Sequence, residues 1–415
     1  MRYTDFFSRK IAQGPSFFNR QEQRRALTLE LSASGSVWLS GERRVGKTSV
    51  AVEVCRALSR DASNYGFRRV AWSKCDISSC ATMDAARRKI LQAVADIAAE
   101  IAELDHKASE GIKHFFSRFD PEFTLGGKDL AKLTLKLRTS ASMDNPVRDA
   151  LIALEGLSME KASQSIIIID EFQTLSEIKA DEGERLEWEI RSALQDASRV
   201  AMVFAGSKKR MMSDAFVNKN RALYGQCRRV KVANLPLDDC HKQLLHVSKQ
   251  CEFSHEEGAL ALICDISKGH PRDFSHLSLQ VFELAVFNTD RPKYISNRVV
   301  REAWEYFVKD VVVDEVQSLL KEKLNNNKRA EVATLQAIAH TRVAKIRSSE
   351  FAMLVGLTST PIAGAVRNLE EQGLIRKENG RWMLCEPSYE QALKNISEFH
   401  FDPDLVIRVI KNSES

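Results

Sequence analysis

The residues from Gly41 to Thr48 read GERRVGKT, which fits the spacing G-x-x-x-x-G-K-[ST] of a phosphate-binding loop. The residue types suit that chemistry. Glycines let successive backbone N–H groups turn toward one anion, and a helix N-terminus adds partial positive charge. Lys47 would neutralise β- and γ-phosphate oxygens, and the Thr48 hydroxyl would hold Mg²⁺. By itself the loop says that a nucleotide binds, not that it is hydrolysed.

A second chemical group lies far downstream. Ile166 to Ile169 is an unbroken β-branched run that ends in Asp170 and Glu171. Such a run predicts a central parallel strand buried on both faces. At its carboxyl end Asp170 would reach the metal of a nucleotide on the loop, and Glu171 would orient and deprotonate an attacking water. The run Arg199 to Phe204, which breaks at Gly206, predicts a further strand. It would deliver Ser207 to the same edge, either to hold the lytic water or γ-phosphate or to cap a helix.

The elements that must position these groups are legible in outline. Val37 to Leu39 reads as a strand, and Val50, Val54 and Leu58 give the following segment helical spacing. A strand near Val70 to Trp72 and an amphipathic helix from about Met83 to Leu104 come next. The segment of about 105–160 reads as an insertion holding a hairpin, with Phe123 to Leu125 and Leu133 to Leu137 alternating. Its Lys128, Lys132, Lys136 and Arg138 suit either DNA or partner contact or a solvated face. Residues 236–324 read as a helical lid, with a capping-box pattern at Ser254 to Glu257 and a long helix from Val299 to Leu320. Residues 325–395 give three helices and a hairpin turning at Glu378-Asn379-Gly380, the pattern of a winged helix, before a tail over 396–415. Ile362, Val366 and Leu369 would face its core. Ser359, Thr360 and Arg367 would face outward, with Arg376, Lys377 and Arg381 on or near the wing.

Between Lys328 and Cys385 nine Lys/Arg stand against five Asp/Glu, a surplus of four that makes up most of the chain's net +5. That surplus favours phosphate contact and hence duplex DNA. Eight scattered cysteines without zinc spacing suit a reducing, cytoplasmic setting. The N-terminus does not read as a signal peptide, and no apolar run reaches the ~20 residues of a membrane span.

Taken together the motifs resemble the P-loop ATPases of the AAA+/STAND group, most of all the archaeal-type ATPase family related to origin-recognition proteins. "FFNRQEQRRAL" is similar to the family's F-x-G-R-x-x-E-L box, with Asn19 at the usual glycine and Arg20 at the arginine. "GERRVGKTS" and "IIIIDEFQ" match its nucleotide motifs, and "FAGSKKRMM" resembles its sensor-1 strand with Ser207 at the polar position. "RALYGQCRRV" resembles its L-Y-G-R segment, with Gln226 where an arginine finger would stand. Arg221, Arg228 and Arg229 are the candidate substitutes. "SKGHPRDF" resembles its sensor-2 segment and places Arg272 at the lid position that would contact the γ-phosphate; the alternative is a surface arginine opening a helix.

The resemblance implies an α/β fold: a parallel-sheet ATPase core over 1–235, then the all-helical lid and the winged-helix domain. It also implies ATP and Mg²⁺ as ligands, with Arg20, Gly41, Arg44, Val45, Gly46, Lys47, Thr48 and Ser49 around the nucleotide. A homo-oligomer or protein partner is expected. Two roles fit: an ATPase coupling nucleotide state to DNA binding, as in replication initiation, transposition or mobile-element and defence systems; or a STAND-type switch whose winged helix is an autoinhibitory or protein-docking module.

Overall fold

The computed structural model describes residues 2–102, 116, 119–126, 130–137, 144–178, 180–396 and 401–411. They form two compact units. One comprises residues 20–41 and 47–232, and the other residues 1–19, 42–46 and 233–415.

The first unit is built on five parallel strands in the order β2-β5-β6-β1-β7. These are β1 (Ser36–Ser40), β2 (Val70–Asp76), β5 (Gln164–Asp170), β6 (Val200–Ala205) and β7 (Cys227–Lys231). Every residue of β1, β5 and β6 is buried. The β-branched run therefore sits where side chains pack on both faces of a sheet. The helices α1 (Gln21–Ser32), α2 (Lys47–Arg60), α3 (Met83–Ala102), α4 (Pro146–Glu160), α5 (Ala180–Leu194) and α6 (Lys209–Val217) accompany it. Ile90, Val94, Ile97 and Ile101 of α3 join Leu151 and Leu154 of α4 in one apolar core with Ile167 and Ile169 of the sheet. The strand β7, which the sequence analysis does not anticipate, pairs with β1 from Ser36↔Cys227 to Ser40↔Lys231.

The insertion contains β3 (Phe119–Gly126) and β4 (Leu130–Leu137), an antiparallel pair in register Phe119↔Leu137. Lys128 and Arg138 lie outside the described residues, as do the side chains of Lys132 and Lys136.

The second unit contains the helices α7 (Leu237–Gln250), α8 (Ala259–Ser267), α9 (Pro271–Phe287), α10 (Asn297–Phe307) and α11 (Val313–Asn325). The capping box at Ser254 to Glu257 does not form: Ser254 enters a two-residue strand beside Tyr294, and Gly258 at φ 80° starts α8. Glu256 instead accepts the Asn297 amide at 2.8 Å, which fixes the start of another helix. The single helix from Val299 to Leu320 is interrupted by a wider π-helical turn at Val308–Val312. Val308 and Val312 are both buried, so the extra residue keeps the apolar side chains on the core side.

Residues 329–384 fold as α12 (Arg329–Thr341), α13 (Ser349–Val355), α14 (Ser359–Glu371) and the hairpin β8 (Ile375–Glu378) and β9 (Arg381–Leu384). Asn379 (φ 48°) and Gly380 (φ 81°) supply the two left-handed residues of its turn. Ile362, Val366 and Leu369 are buried in the same apolar core as Phe274 and Phe282 of α9, so this unit has one continuous interior. The Lys323 ammonium, buried, meets Glu331 at 2.5 Å and Gln372 at 2.6 Å, and joins α11 to α12 and α14. Two further helices, α15 (Pro387–Asn395) and α16 (Pro403–Lys411), follow. Among the described residues no single helix is long and apolar enough to cross a membrane.

Candidate nucleotide site

All five strands are parallel, so their carboxyl ends share one edge of the sheet. The end of β1 leads through Gly41 to the phosphate loop, and α2 begins at Lys47. Within the loop Arg44 (φ 59°) and Gly46 (φ 88°) are left-handed, the conformation that turns consecutive amides toward one point. The Lys47 ammonium, nearly buried, donates to the Gly41 carbonyl at 3.2 Å. The Thr48 hydroxyl donates to Asp170 Oδ2 at 2.8 Å. The strand order explains why this contact can form: only β6 separates β1 from β5. Two hard oxygen donors meet there beside the loop, a donor set that suits a magnesium ion keeping most of its own water.

Asp170 is 8% exposed. Burial is the main influence on its carboxyl and pushes the pKa up. The Thr48 hydrogen bond and the Lys74 ammonium, 3.6 Å away, offset only part of this, and Glu171 and Asp76 add to the upward shift. Lys74 and Asp76 escape the sequence reading. They belong to β2, whose register sets Asp76 opposite Asp170. The signal was available as polar residues closing an otherwise apolar strand, but pairing between strands decides their neighbours.

Glu171 follows at φ 56°, an uncommon backbone conformation for a side chain of this size. Its Oε2 accepts from the Ser207 hydroxyl at 2.9 Å and from the Gln173 amide. Ser207 thus reaches the edge through this carboxylate, and the cap position of α6 falls to Lys208.

Gly41, Lys47, Thr48, Asp170, Glu171 and Ser207 are therefore brought together in one unit. Ser49 follows within α2, and Arg20 is buried at the start of α1 with φ 66°. Asn19 has φ 63°, which accounts for a glycine-compatible residue at that point.

Arg44, Val45, Gly46 and Arg272 belong to the other unit. There Arg44 Nη1 lies 2.9 Å from Glu386, 3.2 Å from Glu315 and 3.1 Å from the Tyr389 hydroxyl. Arg272 engages the same two acids, Glu315 at 2.6 Å and Glu386 at 3.1 Å. Burial works against the Arg44 charge, but Glu386 and Tyr389 beside it outweigh that and raise its pKa. Arg376 of β8, expected on or near a wing, pairs with Glu42 at 2.8 Å and is held inward. No local pattern announces Glu315, Glu386 or Tyr389, because each is an ordinary polar residue of a helix or its cap.

Among the candidate substitutes for the finger, Arg221 is committed to Glu187 and to Asp214 at 3.1 Å. Arg228 is half exposed and pairs with Glu30 at 3.4 Å, and Arg229 bonds Ser40 at 3.0 Å. Among the outward candidates of the C-terminal helices, Ser359, Thr360, Arg367 and Lys377 are exposed and Arg381 is half-buried.

Residues 16–203 match the AAA ATPase domain family. This part of the chain is an AAA ATPase domain. The fold agrees. The Walker-type ATPase PABY2304 of Pyrococcus abyssi superposes with a TM-score of 0.65 at 16% identity, covering 94% of this chain and 100% of that one. The Aeropyrum pernix ORC2 protein, solved as ADPNP and ADP complexes, gives a TM-score of 0.59 at 15% identity, covering 100% and 98%. Comparison of the sequence with curated proteins gives no match. The parallel-sheet unit thus has the fold of these P-loop ATPases, and the matched segment contains the phosphate loop, Asp170 and Glu171.

The raised pKa of Asp170 has a consequence for stability. A carboxyl whose folded pKa lies above its unfolded value penalises the folded state once pH exceeds the folded pKa, and the penalty fades as pH falls through it. Asp170→Asn should therefore raise the thermal unfolding midpoint of the nucleotide-free protein at neutral pH, with the difference shrinking in acid. With nucleotide present, Mg²⁺ should raise the midpoint of wild type further and leave that of the Asn variant unchanged. Scanning calorimetry at neutral and acidic pH checks both.

Proposed function

We propose that the protein is an Mg²⁺-dependent ATPase whose nucleotide state controls duplex-DNA binding through a winged helix formed by residues 325–395. The observation that carries the catalytic part is the convergence of Lys47, the Thr48–Asp170 pair and the Glu171–Ser207 pair on one sheet edge. Lys47 and the loop amides hold the β- and γ-phosphates. Thr48 and Asp170 would hold Mg²⁺, which when bound would offset the negative charge of the phosphates. Glu171 takes a proton from water as the water oxygen bonds the γ-phosphorus. The bond from that phosphorus to the β–γ bridging oxygen breaks, and ADP and inorganic phosphate leave.

Lys47→Ala should weaken ATP binding by at least about 100-fold, since it removes the one lysine of the loop. Glu171→Gln should bind ATP as wild type does while single-turnover hydrolysis falls at least about 100-fold. Calorimetric titration and a single-turnover assay separate the two effects. Wild-type binding by the lysine variant, or wild-type turnover by the glutamine variant, would withdraw the corresponding role.

The DNA part is supported by three helices followed by a hairpin, by the basic surplus of this segment and by the exposure of Ser359, Thr360, Arg367 and Lys377. Short outward side chains favour phosphate contact with little sequence preference. Removing Arg367, Lys377 or Arg381 should each lower the salt slope of log K by about one, equally on unrelated duplexes. Titrations at several salt concentrations measure this. Unchanged slopes in all three would exclude this surface. Such a protein would act with a protein partner or further copies of itself, in a reducing cytoplasm that suits its eight free cysteines. Replication initiation, transposition and mobile-element or defence regulation all use this combination.

A second reading, the STAND-type switch, is favoured by one observation. Arg44 of the phosphate loop is tied to Glu386, Glu315 and Tyr389 of the C-terminal residues. In this reading the C-terminal module restrains the loop until a partner protein releases it. Glu386→Gln should then speed release of a fluorescent ADP analogue by about 10-fold, the worth of one charged hydrogen bond. An unchanged release rate in a folded variant counts against the switch.

A further inference from the structure

We propose that Gln173 is a positioning residue for hydrolysis, fixing the Glu171 carboxylate through its side-chain amide. The inference rests on Glu171 being the base that activates water. Gln173 sits two residues beyond it in the turn that leaves β5. It is 4% exposed, so its amide is held within the protein and not displayed at the edge. Its Nε2 donates to Glu171 Oε2, the same oxygen that accepts from Ser207 at 2.9 Å. Both donors take one oxygen of the carboxylate, which leaves Oε1 to accept from water. Because both donors are neutral, they fix the orientation of Glu171 without cancelling its charge, as a lysine or arginine would.

The turn is built to keep the amide in place. Phe172, 1% exposed, packs edge-on against Phe204 with centroids 4.8 Å apart. Its N–H bonds the Ala205 carbonyl at 2.9 Å, and the Thr174 N–H bonds the Glu171 carbonyl at 2.9 Å. These contacts hold Glu171 at φ 56° and drive the Gln173 side chain over the end of β6. Gly206 lies directly beneath. A Cβ there would come within 2.2 Å of Gln173 Oε1 and 2.4 Å of Met212 Sδ. The glycine between β6 and Ser207 is thus the space the glutamine occupies, a requirement independent of any turn geometry. Gln173 Oε1 is buried and has no hydrogen-bond partner, so the amide is retained for its donor and not for a balanced polar network.

The test uses the full chain. Gln173→Met keeps the volume and removes the donor. Gln173→Glu replaces the donor by an acceptor facing a carboxylate. Gly206→Ala displaces the amide without changing it. Expected are a fall in kcat of about 10- to 100-fold, the worth of a hydrogen bond to a charged group, an unchanged Kd for a non-hydrolysable ATP analogue, and the largest fall for the glutamate variant. In a Glu171→Gln background Gln173→Met should cause no further loss in single-turnover rate, because the residue acts through Glu171. Three results would overturn the proposal: wild-type kcat in Gln173→Met, an equal loss of nucleotide affinity, or a loss that multiplies with that of Glu171→Gln. Wild-type turnover in Glu171→Gln alone would instead remove the underlying reading of Glu171, so the two failures are distinct.

Discussion

The 2.8 Å hydrogen bond from Thr48 to Asp170 joins residues 122 positions apart in sequence. One end is the first turn of the helix after the phosphate loop, and the other is the last residue of a strand buried along its whole length. The bond requires β1, β6 and β5 to lie in that order and all to run the same way. It also requires Asp170 to remain in a site where burial disfavours its charge, with Lys74 and Thr48 as partial compensation. The cost of burying this carboxylate is therefore only partly offset by the side chains around it. Ser207, Glu171 and Gln173 are then placed by the neighbouring strand ends and by the turn that leaves β5.

The C-terminal unit is organised by charge as well as by its apolar core. Glu386 accepts from Arg44 and Arg272, while Glu315 reaches the same two arginines and the Tyr389 hydroxyl. Asp273, fully buried, accepts both the amide and the hydroxyl of Ser388 at 2.8 Å. The buried His270 lies 3.6 Å away. Burial opposes both charges of this His–Asp pair, but their mutual attraction prevails: the histidine pKa is raised and the aspartate pKa lowered. His270 at the cap of α9 and Ser388 at the first turn of α15 are thereby locked together. The Gly-His-Pro segment therefore has a structural task in addition to any contact with nucleotide. Gly269 at φ 64° is part of it, since a Cβ there would meet the Leu235 carbonyl at 2.0 Å.

What could be read in advance follows a simple physical division. Motifs whose chemistry depends on residues close in sequence were legible: the glycine spacing of the loop, the isoleucine run that ends in two acids, and the Asn379-Gly380 turn. Each is a local solution to a backbone or burial requirement. The capping box and the unbroken helix after Val299 failed for the opposite reason. Ser254 was drawn into pairing with Tyr294, and buried Val308 and Val312 demanded a π-helical turn, both effects of distant packing. Arg376 looked like a wing residue by position, and a loop residue over 300 positions earlier turned it inward.

By itself the sequence determined that this chain holds a phosphate loop on a strand–helix junction and an acidic strand end to go with it. Composition and periodicity also pointed to buried strands, to helices after them and to a basic C-terminal segment, and the family resemblance added the α/β core. Only the tertiary structure decided the strand order, and with it which polar residues share the carboxyl edge of the sheet. Lys74 and Asp76 enter that edge by register with β5, and Gln173 by the space left at Gly206. Arg272 and Arg44 share acids through helix packing that no local pattern encodes. The reason is geometric: hydrogen bonds and ion pairs act over about 3–4 Å, and in a folded chain the groups at that distance are set by which elements pack together.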